Sequence, residues 1–459
     1  MAAPPTKRSL PRLIRFLQTR EDQPVLTDAS VVARSYTTKR WTTFTAVTLG
    51  YSFFYFTRLT LSVAKEPLIS AGIVNAQELG MIGSVSLMAY AFGRLTNGFL
   101  CDRAHIGRFM GVGLLVSSVI NILFGCTDLF FVFLLLWLVN GWFQSMGSAP
   151  SVVNIAAWFS RKERGARYSV WSLAHNIGEG MTFIVTSNIV AVLGWRFGFW
   201  GPGVICIGVA LVLFKTILDR PRTYGLPSIA EYKHDDPHPS EPKGQTVGQG
   251  QLQVLKNPAI WVLGLASACL YVARYGINNW FILYLQTAKS YELELAGLTT
   301  SFCPIIGGAG TLAAGPISDY LFGGRRIPVS LMYGVLLIGG LVAIPLIPPG
   351  HMWADSVAVS VCGFAIGGLL VFLGGLAAVD ISSKRAAGAA MGLIGLLSYL
   401  GASAGDLVGG WLLESNKTVV DGQDIYHFGP LLYFWIGAGI ASFVLTASLW
   451  RPGRDGGTR

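Results

Sequence analysis

Gly98-Phe-Leu-Cys-Asp102, followed by Gly107-Arg108, returns later in the chain as Gly315-Pro-Ile-Ser-Asp319, followed by Gly324-Arg325. The G-x-x-x-D spacing and the step from Asp to the Gly-Arg pair are the same in both copies, which lie 217 residues apart. Two further echoes keep nearly that offset. Tyr55-Phe-Thr-Arg58 returns as Tyr271-Val-Ala-Arg274, 216 residues on, and Ser160-Arg161-Lys162 with Gly165 returns as Ser383-Lys384-Arg385 with Gly388, 223 residues on. Three matches in register mark a chain built from two copies of one unit.

Composition says what kind of unit it is. The 459 residues are 52% hydrophobic and only 13% charged, with a mean hydropathy of +0.53. Soluble domains carry about 25% charged residues, so this chain lacks the polar groups to cover its surface in water. Nucleic-acid-binding, secreted disulfide-rich and disordered classes are excluded. A membrane helix needs about 20 apolar residues, and twelve such runs occur. The first copy holds them at 42–64, 79–101, 109–126, 129–158, 168–193 and 196–218; the second at 258–286, 295–318, 328–348, 353–378, 386–412 and 428–449. The expected fold is an all-α membrane protein with twelve transmembrane helices in two six-helix, pseudo-symmetric bundles. Its parts are an N-terminal arm at 1–41, a bundle at 42–218, a linker at 219–257, a second bundle at 258–449 and a tail at 450–459.

Charge supplies the orientation. With twelve spans, the basic residues of the arm, Arg103/Arg108, Arg161/Lys162/Arg164/Arg167, Arg220/Arg222, Arg325/Arg326, Lys384/Arg385 and the tail all fall on one side. The opposite loops hold few, namely Lys65, Arg196, Lys289 and Lys417. By the positive-inside rule both termini are cytoplasmic. The net charge of +10 is thus a topology signal, and no nucleic-acid partner is expected. The arm lacks the early apolar stretch and small-residue cleavage site of a signal peptide, so it reads as retained. Six cysteines stand singly with no CxxC, which points to packing rather than metal or redox work. No cofactor and no metal are expected. No Gly-Lys-Ser/Thr phosphate loop occurs, and the longest hydrophilic stretches, about 40 residues, are too short for a catalytic domain. The chain reads as a membrane transporter and not as an enzyme.

A charge at the bilayer centre costs several kcal/mol, so those within the apolar runs are functional candidates. Five stand out, Arg58, Arg94, Glu179, Arg274 and Asp406, with His175 as a titratable neighbour, whereas Lys215 lies near a span's cytoplasmic end and can snorkel. Arg58 and Arg274 hold equivalent places in the two copies. Packed as a pseudo-twofold pair, they face one cavity from opposite walls, where two unpartnered cations repel. A dianion resolves this, because the guanidinium fork grips phosphate oxygens in bidentate fashion. The competing arrangement neutralises each arginine within its half, Arg94 by Glu179 and Arg274 by Asp406. Tyr55 and Tyr271 lie one helical turn before the arginines, and Tyr51 a further turn back, so their hydroxyls are candidate phosphate or sugar ligands.

The stretch Arg164-Gly165-Ala-Arg-Tyr-Ser-Val-Trp171-Ser-Leu-Ala-His175-Asn176-Ile-Gly178 resembles the signature of the organophosphate:phosphate antiporter family. That family, within the major facilitator superfamily, holds glycerol-3-phosphate and hexose-phosphate transporters and a hexose-phosphate sensor. Gly50-Tyr51-Ser-Phe-Phe-Tyr55-Phe-Thr-Arg58 is similar to its first helix, Tyr271-Val-Ala-Arg274-Tyr-Gly-Ile-Asn-Asn-Trp280 to its seventh, and Ser383 through Gly401 to its eleventh. The resemblance implies that Arg58 and Arg274 grip phosphate, that His175 coordinates substrate, and that Arg94 and Tyr399 line the cavity. Asp102, Arg108, Asp319 and Arg325 are then elements of a cytoplasmic gate or latch. Leu59, Ser148, Ser172 and Glu179 depart from the family pattern along the cavity wall. The implied activity is exchange of an organic phosphate, a hexose 6-phosphate, for inorganic phosphate, in a monomer in the bilayer of a bacterial inner membrane. The alternative is a hexose-phosphate sensor signalling to a membrane histidine kinase, favoured by the long arm and by the stretch Gly225–His234.

Overall fold

Asp28 begins the first helix. Its carboxylate accepts hydrogen bonds from the Ser30 hydroxyl and from the amides of Val31 and Ser30, and these bonds hold it below the ordinary carboxylate range. No breaker follows, so α1 (Ala29–Phe56) runs unbroken from the expected arm into the bundle. The boundary expected at 41/42 therefore falls inside a helix, because Trp41 marks where the apolar run starts and not where hydrogen bonding starts. After a break at Thr57–Leu59 the chain resumes as α2 (Thr60–Ser70).

The computed structural model describes residues 16–233, 254–377, 387–420 and 423–450. The first half continues with α3 (Ala76–Cys101), α4 (Ile106–Phe124), α5 (Phe130–Gln144), α6 (Ser148–Trp158), α7 (Arg161–Leu193) and α8 (Trp195–Thr216). A short 3₁₀ turn (Pro221–Tyr224) and α9 (Ile229–Lys233) follow. The second half holds α10 (Pro258–Lys289), α11 (Leu293–Phe322), α12 (Arg326–Leu346), α13 (Met352–Val371), α14 (Ala387–Ser415) and α15 (Gly429–Ser448). A hairpin of β1 (Lys417–Val420) and β2 (Gln423–Tyr426) joins the last two helices. Among the described residues, ten helical segments are long and apolar enough to cross a membrane. The α1–α2 pair and α3 are more polar, carrying Arg58, Lys65 and Arg94, yet α3 packs as closely as the rest.

The halves meet along α3 against α14 and α7 against α11. Glycines bring the backbones together, as small residues do between membrane helices. A Cβ on Gly80 would stand 2.7 Å from the Asp406 carbonyl oxygen, and one on Gly297 would stand 2.1 Å from Ser187 Oγ. These contacts lie at the helix ends remote from the N-terminal segment. At the other ends, among the described residues, Gly98, Gly165, Gly315 and Gly392 have nothing within 4 Å of a Cβ position, and Phe99 is 73% exposed. The cleft between the halves is therefore open toward the face that carries the N-terminal segment and shut on the opposite face.

On the open face, residues 17–26 form a strap across the first half. Leu17 O accepts from the His105 amide at 2.7 Å, and the Gln23 and Leu26 amides donate to Arg222 O and Gly225 O, both at 2.9 Å. Asp219, fully buried, accepts the Thr19 hydroxyl at 2.8 Å, and Tyr36 stacks on Tyr232 with centroids 4.3 Å apart. Residues 219–233 of the expected linker are thus docked on the first half. Residues 1–15 of the arm, 234–253 of the linker, the tail from 451, and the Ser383-Lys384-Arg385 element lie outside the described residues.

Candidate anion site between the halves

The break after α1 creates the first part of the site. It frees the Thr57 carbonyl, which the amides of Asn121 and Asn140 bind at 2.9 and 3.0 Å. Gln144 then bridges, donating to Thr57 Oγ1 at 2.8 Å and accepting from Arg58 Nε at 3.2 Å. The Arg58 guanidinium lies between two rings, its Cζ 4.4 Å from the Tyr55 centroid and 4.6 Å from that of Tyr90. Such faces attract a cation. The two terminal nitrogens of Arg58 are buried and have no hydrogen-bond partner among the described residues.

Arg274 sits in unbroken helix, midway along α10. Its terminal nitrogen donates to Glu179 Oε1 at 2.6 Å, with the two side chains only 8% and 5% exposed. Glu179 belongs to α7, so this ion pair joins the two halves. The expectation that both arginines stand unpartnered is corrected here, and so are the alternative pairings. Arg274 pairs with Glu179, not with Asp406, and Arg94 is left on the open cleft with its Cζ 5.9 Å from the Tyr399 ring. The cause is packing between halves, which turns α7 toward α10 and keeps Asp406 nearer the shut face.

Asp406 accepts from Trp280 Nε1 at 2.6 Å and Asn279 Nδ2 at 3.0 Å, and its carboxylate packs on Gly83, where a Cβ would stand 1.8 Å from Oδ2. Beside it is Lys65, expected in an outer loop but 1% exposed, its Nζ 3.1 Å from the Trp280 ring centroid. Lys65 lies inside because α2 continues past Arg58 to Ser70 before the chain leaves the bundle.

Aromatic residues complete the wall. Tyr51 and Tyr55 bring their hydroxyls within 3.5 Å, Tyr51 stacks on Trp171 at 4.9 Å, and the ring of Tyr55 lies 6.2 Å from His175. From the second half Tyr271 and Tyr275 approach Tyr399 at 5.3 and 6.0 Å, and Tyr90 crosses from the first half to meet Tyr399 at 4.5 Å. The Arg274 Cζ lies 5.5 Å from the Tyr275 ring centroid, as that of Arg58 lies beside Tyr55. The structure thus gathers Arg58, Arg274, His175, Tyr51, Tyr55, Tyr271 and Tyr399 around one cleft, with Arg94 at its mouth. It adds Tyr90, Gln144, Tyr275 and Lys65. The four residues read as a latch lie elsewhere. Asp102 ends α3, where its carbonyl accepts from Arg220 at 2.6 Å, and Arg108 donates to Phe16 O at 2.9 Å. Asp319 and Arg325 are exposed at the turn between α11 and α12.

Two helical bundles closing on a buried, cationic, tyrosine-lined cleft make up a membrane transporter fold, and the chain is a multi-pass integral membrane protein. It belongs to the Major Facilitator Superfamily, which residues 47–406 match, and within it to the organophosphate:phosphate antiporter family. Among its relatives are the membrane sensor protein UhpC of Salmonella typhimurium, 34% identical over 94% of this chain and 97% of that one. A probable hexose phosphate transport protein of Chlamydia pneumoniae is 33% identical over 85% of this chain and 88% of its own. The glycerol-3-phosphate transporter of Bacillus subtilis is 31% identical over 93% and 96%. In fold the chain is similar to the crystal structure of a bacterial homologue of the human lysosomal transporter Spinster, inward-facing and unoccupied. The TM-score is 0.69 at 17% identity, covering 90% of this chain and 99% of that one.

Proposed function

We propose that the protein exchanges an organic phosphate, a hexose 6-phosphate, for inorganic phosphate by alternating access. The reading takes α1–α2 and α3 as two spans beside the ten apolar ones, twelve in all, with both termini cytoplasmic and the chain acting as a monomer. One observation carries it: Arg58 presents two buried, unpartnered guanidinium nitrogens to the cleft that Arg274 faces. A buried charge without a counter-ion is costly. Two parallel N–H donors at the fork spacing are what a phosphoryl group accepts.

The pairing of Arg274 with Glu179 shapes the exchange step. In the empty site Arg274 is neutralised across the halves, and the uncompensated charge is that of Arg58. Drying the cleft around Arg58 alone is expensive, so the empty carrier stays open. A phosphate gives Arg58 its counter-ion and competes with Glu179 for Arg274, and the loaded cleft then closes. The ligand drives the transition because it binds the closed state better. Tyr51, Tyr55, Tyr271 and Tyr399 offer hydroxyls to the bound anion, His175 stands beside them, and Arg94 attracts the anion at the mouth. Asp102, Arg108, Asp319 and Arg325 lie on the open face, where a latch would engage as it shuts. In proteoliposomes, Arg58→Lys and Arg274→Lys should each abolish counterflow of labelled phosphate while the protein stays monodisperse. Wild-type exchange in either variant would refute the grip.

A second reading has its own support. The UhpC relative, matched over nearly its full length, is described as a membrane sensor. On that reading the same cleft reports occupancy through the strap on the open face to a membrane histidine kinase. Deleting residues 1–26 should then abolish ligand-induced gene expression while sparing uptake.

A further inference from the structure

Tyr51, Tyr55, Arg58, Ser62 and Lys65 follow one another at steps of four, three, four and three; although the helix breaks at Thr57–Leu59, Arg58, Ser62 and Lys65 line one cavity. The last of them is unaccounted for by phosphate binding. Lys65 is 1% exposed, and its ammonium rests against the face of Trp280, yet among the described residues no acceptor meets any of its N–H donors. An ammonium has three donors and no acceptor, and leaving them unmet in a buried place costs free energy. Across the halves Asp406 lines the same cavity as Lys65 without forming an ion pair with it. Its two oxygens hold one donor each, Trp280 and Asn279, which leaves further lone pairs free. Ser62 steadies the arrangement by donating to Asn279 Oδ1 at 3.2 Å. Lys65, Asp406, Asn279 and Ser62 share with Arg58 the wall of one cavity of about 30 Å³. That is enough room for a hydroxyl-sized group.

The geometry points to a hydroxyl subsite next to the phosphate seat, in which Lys65 and Asp406 together hold an alcohol group of the substrate's organic part. The inference rests on the reading that Arg58 holds the phosphoryl group. An alcohol oxygen accepts from the Lys65 ammonium while its proton goes to a free lone pair of Asp406, so one group satisfies both unmet capacities. Lys65 and Asp406 cancel in charge, so the subsite selects a neutral, hydroxylated body attached to the anion, as in a sugar phosphate. Inorganic phosphate, with no such body, leaves the subsite to water. Because Lys65 comes from the first half and Asp406 from the second, a hydroxyl held there also spans the interface.

The test titrates purified full-length protein with glucose 6-phosphate and with inorganic phosphate, for wild type, Lys65→Met, Asp406→Asn and Ser62→Ala. Losing one buried hydrogen-bonding partner should lower the affinity for glucose 6-phosphate about tenfold more than that for inorganic phosphate in the first two variants. Ser62→Ala should show a smaller shift of the same sign. Equal weakening of both ligands, or no weakening, would overturn the subsite, the former leaving Lys65 and Asp406 as a structural contact between halves. Asp406→Asn and Ser62→Ala remove little volume and carry the test if Lys65→Met does not fold. Should wild type bind neither ligand, the phosphate reading itself fails, a result distinct from an unchanged selectivity ratio.

Discussion

The two arginines repeated by the duplicated sequence are held in opposite ways. Arg58 sits at a helix break, braced by the neutral Gln144 and two tyrosine rings, with its outer nitrogens unpartnered. Arg274 lies in continuous helix and is neutralised by Glu179 from the other half. Duplication reproduced the position of the cation and left its neutralisation to diverge. The consequence is an asymmetric site, in which one wall attracts the anion and the other must exchange an internal carboxylate for it.

The asymmetry can be broken from either side. Gln144→Glu gives Arg58 the internal counter-ion that it lacks, and phosphate must then compete at both walls. Affinity measured by calorimetry should fall about a hundredfold, or ~2.7 kcal/mol. Glu179→Gln does the reverse and makes both arginines alike. The buried guanidinium of Arg274 loses its counter-ion, which destabilises the ligand-free protein by about 3–5 kcal/mol. Added phosphate should restore much of the thermal stability, because only the folded state binds it. A variant whose melting temperature ignores phosphate would show that Glu179 and the anion do not share Arg274. The smallest effect belongs to Arg94→Ala. That side chain lies at the mouth of the open cleft, beside Tyr399 and within 3.5 Å of where a Cβ on Gly395 would stand. Screening by solvent limits its contribution, and phosphate affinity should fall about threefold.

The duplication, the apolar runs and the cation at the centre of each copy were legible because each leaves a pattern along the chain. Arg58, Arg274, His175 and the tyrosines at 51, 55 and 271 stand out as polar or charged groups at helical spacing in apolar surroundings, whereas Tyr399 was implied by the family resemblance. The pairing of Arg274 with Glu179 was not legible, since no periodicity says which helices of the two halves touch. Tyr90, Gln144 and Tyr275 carry no charge and are not one or two helical turns before a repeated arginine, so nothing in their spacing set them apart. Lys65 was within reach. Its place in the series from Tyr51 marks it as inward-facing, but its neighbours Glu66 and Pro67 look like the end of a span, and the helix break at Thr57–Leu59 shifts that end outward to Ser70. The arm was read as separate because hydropathy marks the membrane boundary, whereas the Asp28 cap marks that of the helix.

Binding of inorganic phosphate to the purified protein, measured by isothermal titration for wild type and for Arg58→Lys, addresses the asymmetric site most directly. A lysine keeps the charge but loses the fork that presents two nitrogens to the anion. The account predicts saturable binding by wild type and none by the variant, with both proteins folded. Equal dissociation constants would contradict it.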